Sequence, residues 1–176
     1  MKLSLAARIR VAVAVASILA PLSASGKAPT GWRDLTPEEE RLRVADTAPD
    51  SIDPAAIEAD FAGDGAKDRA AILVRLADGA RGVVVALKNR VVVLAFSGSD
   101  RSGIDPDAED LTLATGGLGV AKPGLWAPNC FDDDCKAARR SVRLKSTGLI
   151  VIDETITLLY YWNPKTGRFA RMLMVH

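Results

Sequence analysis

The chain has 176 residues, of which 48% are hydrophobic and 26% are charged, and its formal net charge at pH 7 is +1. No basic stretch stands out, so the sequence lacks the concentrated positive charge expected of a nucleic-acid binder or of a protein that adheres to anionic membranes. Its length is sufficient for one domain with a substantial buried core.

The first 25 residues have the layout of a secretory signal peptide. Three basic residues accompany an apolar run over 9–20, which is followed by Pro21 and the small residues 23–25. This run is too short to span a bilayer core of about 30 Å. We therefore predict export to the periplasm or the outside of the cell, with no stable membrane insertion after cleavage. Cleavage would remove three of the 23 basic residues and none of the 22 acidic ones, which gives a formal net charge of −2.

The mature chain then carries a strong helix-start signal. Thr36 has the side chain of an N-cap, Pro37 suits the first helical position, and Glu39 completes a capping box. This pattern predicts a helix that continues to about Ala45. The local glutamates are therefore explained by helix formation and not by a catalytic role.

Beyond residue 50 the pattern favours β-structure. An Asp-Pro pair at 53–54 predicts a second short helix, with a strand over 57–61 as the alternative. Segments of β-branched and aromatic residues, separated by turn residues, predict strands over 71–76, 83–87, 91–96, 111–115, 141–145, 149–152, 155–162 and 168–175. Residues 26–176 are thus predicted to form a single globular α+β domain, mainly antiparallel β-sheet with one or two short N-terminal helices.

The acidic, glycine-containing loop over residues 60–70 is the most specific feature. Counted from Asp60, positions one, five and nine are the carboxylates Asp60, Asp64 and Asp68, and position seven offers the backbone carbonyl of Ala66. Ca²⁺ takes six to eight oxygen ligands from a flexible loop, so this spacing predicts a weak calcium site. The alternative is that the carboxylates accept hydrogen bonds from the backbone amides of a tight turn.

The glycine-rich segment over residues 116–119 is interpreted as a turn. A phosphate-binding loop would need a lysine and a serine or threonine directly after the glycines, and a helix start. The sequence has neither, so we predict no nucleotide site at this position.

Two cysteines, Cys130 and Cys135, flank an acidic run over 132–134. A close, even pair in an exported protein predicts a disulfide bond. A zinc site would need further soft ligands, and the sequence holds one histidine, His176. We interpret the acidic run as an exposed turn, with the binding of a cation or a basic partner as the alternative.

The C-terminal hairpin carries four aromatic residues, Tyr160, Tyr161, Trp162 and, across the turn, Phe169. Cross-strand aromatic packing is the simplest explanation. Tyrosine and tryptophan also anchor many protein interfaces, so the same four residues are candidates for an interaction surface.

The acidic loop resembles the D-x-N-x-D-G-x-x-D loops of FG-GAP/VCBS-like extracellular modules, with Ala62 in place of the usual Asn or Asp. Together with the Y-Y-W … G-R-F hairpin over residues 160–169, it gives the chain a resemblance to a family of small, uncharacterised exported proteins of Gram-negative bacteria. This resemblance implies an exported protein with a single such loop, and it implies no activity or ligand. One loop in a chain of this length cannot supply the blades of an FG-GAP propeller.

The sequence shows no Ser-His or Cys-His arrangement of the kind that activates a nucleophile. We therefore predict a non-enzymatic exported module that binds a protein or an envelope component, a class that includes inhibitors and immunity proteins. The alternative is a metal-assisted hydrolase that uses Asp60, Asp64 and Asp68. A purely structural protein of the envelope is the third option.

Overall fold

The structure is a computed structural model, and it describes residues 26–44, 54–129, 141–154 and 156–175. In these ranges it has one helix, α1 (Pro37–Val44), and twelve strands. The strands are β1 (Trp32–Asp34), β2 (Ala56–Ala59), β3 (Asp68–Arg75), β4 (Arg81–Leu87), β5 (Arg90–Phe96), β6 (Glu109–Asp110), β7 (Gly117–Ala121), β8 (Gly124–Trp126), β9 (Val142–Leu144), β10 (Gly148–Asp153), β11 (Ile156–Asn163) and β12 (Arg168–Val175).

Three sequence predictions lie outside the described residues. They are the signal peptide over 1–25, the disulfide bond between Cys130 and Cys135, and the exposed turn over 132–134. All three stay predictions.

Two larger sheets form the body of the fold. The first has the order β1-β3-β4-β5-β6, with β1 and β2 pairing with different halves of β3. The second has the order β12-β11-β10-β7, and β8 and β9 form a separate two-stranded ribbon. All pairs are antiparallel except β5 with β6. The prediction of a mainly antiparallel β architecture with a short N-terminal helix is therefore confirmed.

The main core lies between the two larger sheets. Strand side chains alternate between faces, so on β3 Ala70 and Ile72 both point into this core. The other strands contribute buried residues from both sheets: Val83, Val85, Leu94, Leu118, Leu149, Val151, Leu158 and Tyr160. Burial of this apolar surface is the main favourable contribution to folding. The Tyr160 hydroxyl also donates a hydrogen bond of 3.1 Å to the carbonyl of Leu94, which joins the second sheet to the first.

The outer faces of both sheets are also covered. Trp32 of β1 lies over Gly82 and packs edge to face against Phe96, with ring centroids 6.2 Å apart. A Cβ at Gly82 would lie 2.7 Å from the indole ring, so this close approach requires glycine. On the second sheet the β8–β9 ribbon packs through Trp126 and Leu144. Trp32 thereby fixes the N-terminal segment to the first sheet.

Helix α1 begins where the capping signal predicts. Thr36 Oγ1 accepts a hydrogen bond from the Glu39 amide at 3.2 Å, and Glu39 Oε2 accepts one from the Thr36 amide at 2.7 Å. These are the two reciprocal bonds of a capping box. Hydrogen bonds from the Arg33 guanidinium, and then from Thr36, lower the pKa of Glu39 to about 2. Glu39 is therefore engaged in holding the helix start.

Two local predictions are wrong. The strand predicted over 111–115 is absent, because Leu113 has a φ of +52° and donates its amide to the buried carboxylate of Asp153. The glycine-rich segment predicted as a turn forms β7, which pairs with β10 along five residues. Of the two alternatives for residues 53–61, the strand is the one observed, as β2.

Candidate functional site

The acidic loop is a tight turn held by its own carboxylates. Asp60 Oδ1 accepts hydrogen bonds from the amides of Gly63 at 2.7 Å and Asp64 at 3.0 Å, and Asp60 Oδ2 accepts one from Gly65 at 2.9 Å. The two glycines have φ angles of +73° and +84°, in the left-handed region that favours glycine. The loop therefore folds around the side chain of Asp60.

Asp68 closes the loop from its other end. Its side chain is buried, and its Oδ2 accepts hydrogen bonds from the amides of Phe61 and Ala62, each at 3.0 Å. Its Oδ1 is buried and has no hydrogen-bond partner among the described residues. Burial raises the pKa of Asp68 above its ordinary value, against the effect of the two amides, and the nearby carboxylates of Asp64 and Asp60 raise it further.

The carboxylates of the acidic loop accept hydrogen bonds from its own backbone amides. Asp64 Oδ1 accepts a hydrogen bond from the Ala66 amide at 2.9 Å, and Ala62, at the third position, has no side-chain oxygen. Within the described ranges, no group of three or more His, Cys, Asp or Glu side chains is arranged to hold a metal ion. The geometry favours the alternative of a tight turn, and calcium binding by Asp60, Asp64 and Asp68 stays a prediction.

We expect the melting temperature of the mature protein to be the same in excess EDTA and in millimolar Ca²⁺. A ligand that binds only the folded state stabilises it, but the loop carboxylates already accept hydrogen bonds from backbone amides. Thermal unfolding followed by circular dichroism measures the difference. A calcium-dependent rise of several degrees that is lost in Asp64→Ala and kept in Asp110→Ala, an exposed acid outside the loop, would contradict this expectation.

Asp68→Asn is expected to unfold no more readily than the wild type near pH 7. Burial raises the pKa of Asp68 in the folded state, so protonation of Asp68 stabilises the fold. This contribution to the free energy of unfolding is fully present below the ordinary pKa of 3.8, and it is lost as the pH rises through the folded-state pKa. Asparagine stays neutral and keeps an oxygen that accepts the amides of Phe61 and Ala62. Urea titrations should therefore show that the free energy of unfolding of the variant, relative to that of the wild type, is higher near pH 7 than near pH 3. A variant that is clearly less stable near pH 7 would show that the ionised Oδ1 is needed.

The four aromatic residues of the hairpin do not form one surface. Alternation along β11 directs Tyr160 and Trp162 to one face and Tyr161 to the other. Tyr160 is 3% exposed, so its prediction as a surface residue is wrong. Trp162 packs edge to face against Phe169, with ring centroids 5.3 Å apart, and the Arg90 guanidinium lies 4.7 Å from the Trp162 ring centroid. The predicted cross-strand aromatic packing is therefore confirmed for Trp162 and Phe169.

Tyr161 and Trp162 line a groove beside the acidic loop. Its volume is about 630 Å³, within the range of ligand sites. One wall is formed by residues 143–146, another by residues 161–165, and Ala62 and Gly63 of the acidic loop complete the lining. We call this feature the hairpin groove. It brings the loop and the hairpin, the two features that the sequence singles out, into one place.

The hairpin groove is positively charged. Arg143, Lys145 and Lys165 line it and are exposed, and among the described residues none of the three forms an ion pair. No carboxylate is found among the described residues of the lining, and Ser146 and Asn163 add polar groups. The groove thus offers cations and hydrogen-bonding groups beside two aromatic residues.

Sequence reasoning missed the three cations. Arg143 and Lys145 belong to a short strand and its exit, whereas Lys165 lies in the hairpin turn. Each fits an ordinary solvent-facing position when considered alone. What the three residues have in common is a positive charge close to aromatic residues. This proximity exists only in the folded protein, where the separate segments come together.

No protein-family model, curated protein or solved structure matches the chain. In the part of the chain that the structure describes, no helix has the length and apolar character needed to cross a membrane. We therefore infer function from the geometry of the hairpin groove.

Proposed function

We propose that the protein is an exported, non-enzymatic binding module whose ligand, a protein or another component of the cell envelope, occupies the hairpin groove. The observation that carries this proposal is the combination of Tyr161 and Trp162 with three exposed cations, Arg143, Lys145 and Lys165, in one groove. Tyrosine, tryptophan and arginine are enriched among the residues that dominate binding energy at interfaces. Exposed cations attract and orient a ligand of opposite charge.

The elements around the groove favour binding without a large rearrangement. Tyr161 and Trp162 lie on β11 and are paired with Ala170 and Phe169 of β12, and β11 up to Tyr160 is also paired with β10. Leu144 of β9 is buried against the same sheet. On the acidic loop, a Cβ at Gly63 would lie 2.9 Å from Ser146 Cβ, so the loop packs closely against the opposite wall. A preformed site lowers the entropic cost of association.

The metal-assisted hydrolase is the weaker alternative. It requires carboxylates that face an open coordination position, whereas Asp60, Asp64 and Asp68 accept hydrogen bonds from amides of their own loop. Export is part of the proposal because of the signal-peptide pattern over residues 1–25. Calcium binding is not part of it.

Site-specific photocrosslinking in the native cells tests this function. A benzophenone amino acid at Tyr161 or at Lys165 should crosslink to the same partner molecule. Exposed positions at the opposite end of the fold, Lys27 before β1 and Arg41 on α1, serve as controls and should give no such adduct. Absence of adducts from both groove positions, or equal yields from the control positions, would contradict the proposal. Fractionation of the same cells checks whether the protein is exported.

A further inference from the structure

We propose that the hairpin groove binds an extended, acidic segment of a partner protein, which pairs as an additional strand with the edge of β11 at Trp162. This inference rests on the proposed function and adds the partner's chemistry and its mode of binding. Addition of a strand to an exposed sheet edge is a common way of recognising peptides, with main-chain hydrogen bonds for affinity and side-chain pockets for specificity.

Strand β11 is longer than its pairing with β10. Its pairing with β10 ends at Leu149 opposite Tyr160, whereas its pairing with β12 continues to Asn163 opposite Arg168. The residues from Tyr161 to Asn163 therefore extend beyond β10 with a strand partner on one side only, among the described residues. The hairpin groove lies along this stretch.

The backbone N–H and C=O of Trp162 point away from β12. The Asn163 carbonyl accepts hydrogen bonds from the amides of Thr166 and Gly167 in the hairpin turn, so the main-chain groups of Asn163 face β12. In an antiparallel strand, successive residues direct their N–H and C=O groups to opposite edges. The N–H and C=O of Trp162 are therefore directed to the other edge, where β10 has already ended.

The opposite wall of the groove contains the end of a second strand. Residues 143–146 line the groove; Arg143 and Leu144 belong to β9, and residues 145 and 146 form the bend that follows it. Within the described residues β9 pairs only with β8, so its second edge has no strand partner. An extended peptide would thus lie between the edge of β11 at Trp162 and the segment that leaves β9.

The charge of the groove defines the chemistry of the peptide. Arg143, Lys145 and Lys165 stand around the free edge, and no described lining residue carries a negative charge. Carboxylates on the added strand would form charge-assisted hydrogen bonds with these cations. Tyr161 and Trp162 offer apolar surface to the side chains between the carboxylates. An acidic polysaccharide would use the cations, but its hydroxyl groups do not have the donor and acceptor spacing of a strand at the Trp162 edge, so the observations favour a peptide.

The experiment measures fluorescence anisotropy of a labelled peptide of alternating glutamate and valine, added to the mature protein. We expect binding that weakens by about tenfold or more for the analogue with glutamine in place of glutamate. A similar loss is expected when alternate backbone nitrogens are methylated, because methylation removes the main-chain donors. The double variant Lys145→Gln/Lys165→Gln should weaken binding, whereas Lys27→Gln/Arg41→Gln, which removes the same charge at the opposite end of the fold, should not.

Several outcomes would overturn the inference. Equal binding of the methylated analogue would exclude strand pairing, and equal effects of the two double variants would exclude the groove. Binding of oligogalacturonate without binding of the peptide would identify an acidic polysaccharide. Concentration-dependent self-association that is lost in Lys145→Gln/Lys165→Gln, with no peptide binding, would identify a second copy of the chain. If the peptides fail but groove positions still crosslink to a partner in cells, the proposed function stands and only this inference is rejected.

Discussion

Gly116→Ala is expected to destabilise the fold by roughly 3–5 kcal/mol, one of the largest effects of a single methyl group in this chain. Gly116 has a φ of +84°, and a Cβ there would collide with the carbonyl oxygen of Ile152 and lie 2.8 Å from its carbonyl carbon. These are main-chain atoms of β10, so they cannot move aside as a flexible side chain would. The Gly116 carbonyl also accepts a hydrogen bond from the buried guanidinium of Arg43. Strain at this position would therefore disturb both β10 and the helix.

Gly79→Ala is the matched control for this prediction. Gly79 has a φ of +75°, but nothing lies within 4 Å of the position that a Cβ would occupy. Alanine there meets only the backbone penalty of about 1 kcal/mol. Chemical denaturation of the two variants separates conformational strain from collision. Equal losses of stability in Gly116→Ala and Gly79→Ala would contradict the packing described for β10.

Phe61→Ala is expected to lower the free energy of unfolding by about 3–5 kcal/mol. The ring of Phe61 is fully buried in the core between the sheets, although residues 63–65 of the same loop are exposed. Removing the ring would leave a cavity and would detach the acidic loop from the core. The Phe61 amide donates to Asp68, and that contact does not depend on the side chain.

Phe61→Leu tests whether the lost volume is the cause. Leucine keeps most of the apolar bulk, so we expect a loss of only about 1–2 kcal/mol. Equilibrium unfolding in urea measures both variants. A result in which Phe61→Ala costs no more than Phe61→Leu would show that the loop is not fixed to the core through this ring.

Much of the fold could be predicted because its signals are local. The capping box of Thr36 and Glu39 specifies the helix start within four residues. Runs rich in β-branched residues, separated by turn residues, specify β3, β4 and β5, and the turn chemistry after Asn163 specifies the final hairpin. The acidic loop was also recognisable from a short stretch of sequence, although its carboxylates accept hydrogen bonds from backbone amides.

The missed elements depend on distant partners. Gly119 looks like a turn residue in the sequence but lies in β7 opposite Ile150, which fills the space left by the missing side chain. Leu113 leaves the strand conformation because Asp153, 40 residues away, accepts its amide. The hairpin groove combines residues of three separate segments, so no window of sequence contains it. Register and long-range hydrogen bonding decide these features, and neither has a local pattern.

Hydrogen exchange at the Trp162 amide tests the central claim most directly. The geometry directs this N–H to an edge of β11 that has no strand partner in the part of the chain that the structure describes, so it should exchange rapidly in the free protein, whereas the Tyr160 amide should be protected. Saturation with the glutamate–valine peptide should slow exchange at Trp162 and shift the resonances of Lys145 and Lys165 in the NMR spectrum. A Trp162 amide that is already protected in the free protein, or one whose exchange is unchanged in the complex, would contradict the assignment of this edge as the binding site.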